Sequence, residues 1–268
     1  MSRAQGALPM YLGAPDAVQT LWTVLREALV LKGLQQLPEA ISWPQDLHAH
    51  WRAPDLLLSQ TCGYPLTHAL QGQVQLLGCF RYAAPGCEGI YCRSVLIARK
   101  ESAHLALDDF RNQRVAFNST DSQSGYNALR ALIAPLARQG RFFSQAMATG
   151  GHRLSVDAVR EGRADLAAID CVTWASLQMH DAAATEGLCA IGHSAPYPGL
   201  PLITSLHTPP EQVQALRHGL RGLVIAPAAA QALGQLLIEG FETPDLAVYQ
   251  SCMEMERSAM ASGYPQLA

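Results

Sequence analysis

Between Ala17 and Leu31 the apolar side chains Val18, Leu21, Leu25 and Leu29 recur at the spacing that lines one face of a helix. Pro15-Asp16 opens that helix, and Leu8-Pro9-Met10-Tyr11 ahead of it predicts a short first strand. A proline-containing loop follows through Pro38 and Pro44. The run Asp55-Leu56-Leu57-Leu58-Ser59 predicts a strand that enters a turn at Gln60-Thr61-Cys62-Gly63-Tyr64-Pro65. Residues 74–82 and 91–99 predict two further strands, joined by a loop at 86–89.

From there the pattern alternates. Residues 114–117 predict a strand, and 124–137 a helix with Leu129, Leu132, Ile133 and Leu136 inward. Residues 142–148 predict a strand, and 152–161 a helix stopped by Gly162, a residue suited to a helix C-terminus. A strand at 165–169 and a helix at 172–179 complete the rhythm. Later strands are expected at 188–191 and 200–205, and helices at 211–224, 227–238 and 244–260. Strands alternating with helices argue for parallel sheet in an α/β layer architecture. The expected division is one lobe from 99–195 and another from 1–98 plus 196–268.

Composition narrows the function. The chain has 268 residues, 49% of them hydrophobic, ample for a buried core in one or two domains. Only 15% are charged and the net charge is -3, without a basic stripe, so no nucleic-acid partner is expected. The longest apolar runs are strand-sized, so no membrane insertion is expected. Met1 to Leu12 shows no apolar segment of the kind a secretory signal needs. As written, the chain reads as cytoplasmic, or as one whose signal was removed. Seven cysteines, an odd count without regular spacing, do not read as a disulfide framework. No C-x-x-C pair occurs, so no metal centre is expected. No phosphate-binding lysine loop, G-x-G-x-x-G or H-E-x-x-H is found, and no cofactor is expected. Asn118-Ser119-Thr120 matches a glycosylation sequon, which reads here as a chance match.

The candidate chemistry lies at strand–helix junctions. Ser122-Gln123-Ser124-Gly125-Tyr126 follows one strand and precedes a helix. Helix-starting amides and hydroxyls make an anion site, and Gly125 lets a ligand approach backbone. The same residues also suit an ordinary helix cap. His152 follows Gly150-Gly151 at the next helix start, and its imidazole can donate to an anion or simply cap. Asp170 ends a strand, where ligands of open α/β sheets bind. It can accept a proton carried by the ligand, or cap the helix that follows.

Three segments together resemble the substrate-binding proteins of phosphate, phosphite and phosphonate ABC transporters. They are residues 55–65, residues 118–130, and Gly150-Gly151-His152 with residues 156–159 and 162–170. The resemblance implies a two-lobed α/β fold of the type II periplasmic-binding kind, with a ligand cleft between lobes. It implies a small oxyanion ligand, ABC-transporter membrane subunits as partners, and a periplasmic location. It also implies that the serine-rich turn and His152 hold the oxyanion. Ser59, Gln60, Thr61 and Tyr64 at one strand end, Tyr11 after the first strand, and Tyr91 and Arg93 complete the candidate ligand contacts. Two other readings stay open. One is a cytoplasmic ligand sensor. The other is an enzyme on the same fold, either with Cys62, His152 and Asp170 as a nucleophilic site or related to the alternative menaquinone route, whose catalytic residues find no match here.

Overall fold

The computed structural model describes residues 4–10 and 13–268, in two compact units. The first takes the chain up to Ala83, then Glu88–Ile90 and Gly199–Val248; the second takes Ala84–Cys87, Tyr91–Pro198 and Tyr249–Ala268. The first unit begins with β1 (Gln5–Ala7), α1 (Pro15–Leu31), α2 (Leu47–Trp51), β2 (Leu56–Gln60), α3 (Gly63–Thr67) and β3 (Val74–Tyr82). The second contains β4 (Tyr91–Cys92), β5 (Ser94–Arg99), β6 (Arg114–Phe117), α4 (Ala128–Ile133), β7 (Gln145–Ala148) and α5 (His152–Arg160). It continues with β8 (Leu166–Asp170), α6 (Cys171–His180), α7 (Ala182–Thr185), β9 (Leu188–His193) and β10 (Tyr197–Pro198). The chain then returns to the first unit for β11 (Pro201–Ser205), α8 (Pro210–Leu223), α9 (Ala230–Gln235) and β12 (Ile238–Glu242), and ends in the second with α10 (Gln250–Ala261).

The sheet of the first unit has the order β1-β2-β11-β3-β12. β1 and β2 are parallel, and β11 and β12 pair antiparallel with their neighbours. The apolar face expected on α1 is buried: Val18, Leu21, Leu25 and Leu29 all point inward. Gly219 makes this packing possible, because a Cβ there would stand 2.9 Å from Leu25 and 3.1 Å from Leu29. The first described strand is Gln5–Ala7, and residues 8–10 do not extend it, since Pro9 has no N–H to give a ladder. Tyr11 lies outside the described residues. The helix expected at 227–238 ends at Gln235, and Leu237 at φ 56° turns the chain into β12. That strand, missed from the sequence, lies across Gly78, where any side chain would overlap Phe241 and the Glu242 carbonyl.

The sheet of the second unit has the order β7-β6-β8-β5-β9, and β4 pairs separately with β10. β6 runs parallel to β7 and β8, while β5 is antiparallel to β8 and β9. The parallel strands alternate with helices as expected, and every residue of β8 is buried, as a strand covered on both faces requires. The helix expected at 124–137 has three parts: a π-turn at Gln123–Asn127, then α4, then a 3-10 turn at Ala134–Leu136. Pro135, without an amide hydrogen, tightens its end.

Two expectations about the division are corrected. Residues 94–98, expected in the first lobe, belong to the second unit, because β5 is hydrogen-bonded between β8 and β9. The C-terminal segment, expected in the first lobe, also completes the second unit. Its Tyr264 and Leu267 enter the core of Phe110, Phe117, Leu129, Ile133, Phe142 and Phe143. The amides of Phe142 and Phe143 donate to the Ala268 carbonyl at 2.6 and 2.9 Å. Arg130 donates to the Pro265 carbonyl at 2.8 Å and meets Glu256 at 3.2 Å.

Candidate functional site

In the second unit the parallel strands β7, β6 and β8 end side by side, and each leads into a helix start. After β6, Ser122 caps the π-turn, its Oγ accepting from the Gly125 amide at 3.0 Å. Single π-turns are frequent at functional positions. The opening amides of such a turn have no acceptor inside it. Ser94 holds the turn from below: its hydroxyl donates to the Ser124 carbonyl at 2.8 Å and lies 3.0 Å from the Tyr197 hydroxyl.

After β7, Gly150 at φ 93° and Gly151 bring in α5, whose cap residue Gly151 offers no side chain to the helix amides. His152 opens α5 with its Nε2 2.8 Å from Ser124 Oγ. Burial pushes the imidazole down to about 4, so it is neutral at neutral pH. Its buried Nδ1 has no partner. Asn118, directly after β6, presents a buried Oδ1 that also lacks one. This oxygen stands where a Cβ of residue 125 would be, and the His152 ring lies 3.2 Å from the same point. Gly125 is therefore the residue that lets Asn118, Ser124 and His152 converge. After β8, Asp170 caps α6, its Oδ1 accepting from the Thr173 amide at 2.9 Å. Burial lifts its carboxyl to about 7, against the hydrogen bonds from Thr173 and Val172.

Other candidates are tied elsewhere. Tyr126 is only 7% exposed, its ring packing on Phe117 at 5.0 Å and under Arg130 at 5.3 Å. Gln123 reaches Met255 Sδ at 3.2 Å and accepts from Asn127 at 2.8 Å. Arg93 donates to the Ser194 carbonyl at 3.1 Å. Tyr91, by contrast, is 42% exposed on β4. In the first unit, Ser59 is fully buried with His50 Nε2 3.1 Å away. Tyr64 stacks on His68 at 3.9 Å. Gln60 donates to the Tyr82 hydroxyl at 3.0 Å, yet its Oε1 is buried without a partner, as is Thr61 Oγ1. The acid needed for the Cys62–His152–Asp170 arrangement is not in place: Asp170 is engaged with α6 and His152 Nδ1 has no partner. Without an orienting acid the imidazole lacks the third member of a nucleophilic triad. In the sequence Asn118 reads as part of a chance glycosylation sequon and not as a ligand contact, although its place directly after a strand was the available signal. The positioning pair Ser94 and Tyr197 left none, being 30 and 103 positions from what they hold.

A family model for the periplasmic substrate-binding protein of phosphonate ABC transporters matches residues 55–249. The chain belongs to this family. Solved structures agree on the two-lobed periplasmic-binding fold. PhnD1 from Prochlorococcus marinus, in complex with methylphosphonate, is 14% identical with a TM-score of 0.75, over 95% of this chain and 97% of that one. A binding protein component of an ABC phosphonate transporter from Pseudomonas aeruginosa is 15% identical with a TM-score of 0.75, over 98% and 88%. XAC2383 from Xanthomonas citri, bound to chloride, is 14% identical with a TM-score of 0.72, over 98% and 99%. No curated protein matches the sequence. Membership of the phosphonate-binding family makes the chain a solute-binding protein of ABC-transporter type. Among its described residues, no helix is long and apolar enough to cross a membrane.

Proposed function

We propose that this chain binds a phosphorus oxyanion, a phosphonate or a phosphate-like ion, without transforming it, and passes it to transporter membrane subunits. One observation carries the reading. Among the described residues of the second unit, and the Arg130 Nε aside, the buried side-chain polar atoms without a partner are those of Asn118 and His152. Each lies in a segment leaving the C-terminal end of a strand. Buried polar atoms are rarely left unpaired, because doing so costs about 1–3 kcal/mol each. A polar ligand explains them.

The chemistry suits an anion that carries a proton. Ser122, Ser124, the opening amides of the π-turn and the start of α5 supply donors. Asn118 Oδ1 is an acceptor and calls for a hydrogen on the ligand. A P–OH group or an aminoalkyl substituent supplies one. Sulfate, fully ionised at neutral pH, does not. Asp170 adds a further acceptor beside its capping role, and its engagement with Thr173 rather than with His152 Nδ1 supports binding without catalysis.

The test is calorimetry with phosphate, phosphite, methylphosphonate, 2-aminoethylphosphonate and sulfate. Phosphorus anions are expected to bind and sulfate to bind far more weakly. Ser124→Ala removes a hydrogen bond to a charged group, about 1.5–3 kcal/mol, and should weaken binding roughly tenfold or more. Equal binding of sulfate, no binding by any of the five, or an unchanged Ser124→Ala protein would overturn the proposal.

A further inference from the structure

Three of the seven cysteines form a group that oxyanion binding does not use. Cys87 Sγ lies 3.6 Å from Cys92 Sγ and 3.4 Å from Cys171 Sγ. All three sulfurs fall within 4.8 Å of one another. Cys92 and Cys171 are buried and Cys87 is half-buried.

Each thiol is placed by its own local device. Ala84-Pro85-Gly86-Cys87 is a β-turn closed by the Cys87 amide on the Ala84 carbonyl at 3.0 Å. Gly86 sits at φ 96° in the third position, after Pro85, the residue pattern of a type II turn. A Cβ on Gly86 would stand 3.2 Å from Cys171 Cβ, so glycine also lets the turn lie against Cys171. Cys92 is held in β4 by its pairing with Tyr197. Cys171 opens α6, with its amide on the Arg93 carbonyl at 3.1 Å.

Buried cysteines often serve as small apolar groups. Three sulfurs converging on one point are a different arrangement. Metal–sulfur bonds of about 2.3 Å in tetrahedral geometry put neighbouring sulfurs about 3.8 Å apart. The separations of Cys87 Sγ from the other two sulfurs, 3.6 and 3.4 Å, need only a small opening to reach that spacing. Thiolates select soft cations over magnesium or calcium. Among the described residues no histidine, aspartate or glutamate joins the group as a fourth donor.

We propose that Cys87, Cys92 and Cys171 form a three-sulfur site for one soft, thiol-seeking metal ion such as Cu(I), Zn(II) or Cd(II). Each sulfur that binds loses its proton to solvent and donates a lone pair to the ion; no electron is transferred. The site stands independently of the oxyanion reading, since it shares none of the ligand contacts proposed above.

The experiment is an anaerobic titration of the reduced, metal-free protein with Cd(II). One equivalent is expected to bind, with a thiolate-to-cadmium absorption band in the ultraviolet and release of protons to the buffer. Cys87→Ser should lose the band, while Cys62→Ser and Cys189→Ser keep it. Bound Cd(II) should also protect Cys87 of the unaltered protein from alkylation, read by mass spectrometry, a measure that needs no variant to fold. No band at one equivalent, a band that survives Cys87→Ser, or no protection would overturn the site. So would air oxidation to a Cys87–Cys92 or Cys87–Cys171 disulfide in a protein whose reduced form binds no Cd(II), which assigns the trio to redox chemistry.

Discussion

Gly125 is the position where one methyl group decides the most. Its missing Cβ leaves room for Asn118 Oδ1 and for the His152 ring, so an alanine must displace one or both. Overpacking of this kind typically destabilises by about 1–3 kcal/mol. Gly125→Ala is therefore expected to lower stability in urea by that order and to weaken ligand binding through the Ser124–His152 pair. In the double variant with Asn118→Ala the oxygen that collides is gone, so the two stability changes should sum to more than the double variant loses. Strict additivity in that cycle would mean that the two residues do not contend for the same space.

At the scale of elements, the sheet of the second unit is pinned at the start of β8. Asp165 accepts from Arg114 Nε at 2.9 Å and Nη2 at 2.8 Å, from the Arg114 amide at 3.0 Å, and from Arg99 Nη2 at 3.0 Å. One carboxylate thus ties β5, β6 and β8 together. Partial burial pushes its carboxyl up, but the hydrogen bonds from Arg114 and Arg99 outweigh that and hold it at about 2. Asp165→Asn is expected to lower stability by about 1.5–3 kcal/mol, the range for hydrogen bonds to charged groups. The unfolded chain binds its proton at a higher pH than the folded one. The contribution is thus fully present above the unfolded carboxylate range and lost as pH falls toward 2. Denaturation of both proteins at pH 7 and near pH 2.5 checks this: the gap between them should shrink in acid. A gap that stays constant would show that Asp165 is not held ionised by the arginines.

For the whole molecule, the surprise is where the end of the chain goes. Tyr264 is fully buried in a core built mostly from residues more than a hundred positions earlier. Removing its ring leaves a cavity that should destabilise by about 3–5 kcal/mol, as loss of a large aromatic does. Tyr264→Ala should therefore unfold at markedly lower urea and bind ligand less well, because the same core carries Tyr126 of the serine-rich turn. A loss below about 1 kcal/mol would mean that the C-terminal segment is not part of that core.

Much of this architecture could be read along the chain, because helix and strand periodicity are local properties. The face of α1, the strand at 114–117 and the alternation from β6 to α6 follow from which residues repeat every two or every three to four positions. The glycine- and serine-bearing strand ends were legible for the same reason: a helix start after a strand is written in consecutive residues. What tertiary structure alone decided is which polar and sulfur atoms meet. Ser59 and Gln60 are neighbours in sequence, yet Ser59 is matched by His50 while Gln60 keeps an open oxygen. Gln123 and Tyr126 sit in the predicted anion turn, yet α10 and the core claim their side chains. Cys87 and Cys171 are 84 positions apart, and no spacing rule reaches across that distance. A side chain's character comes from its residue type, but whether it is satisfied depends on partners brought in from distant segments, and those are known only once the chain has packed.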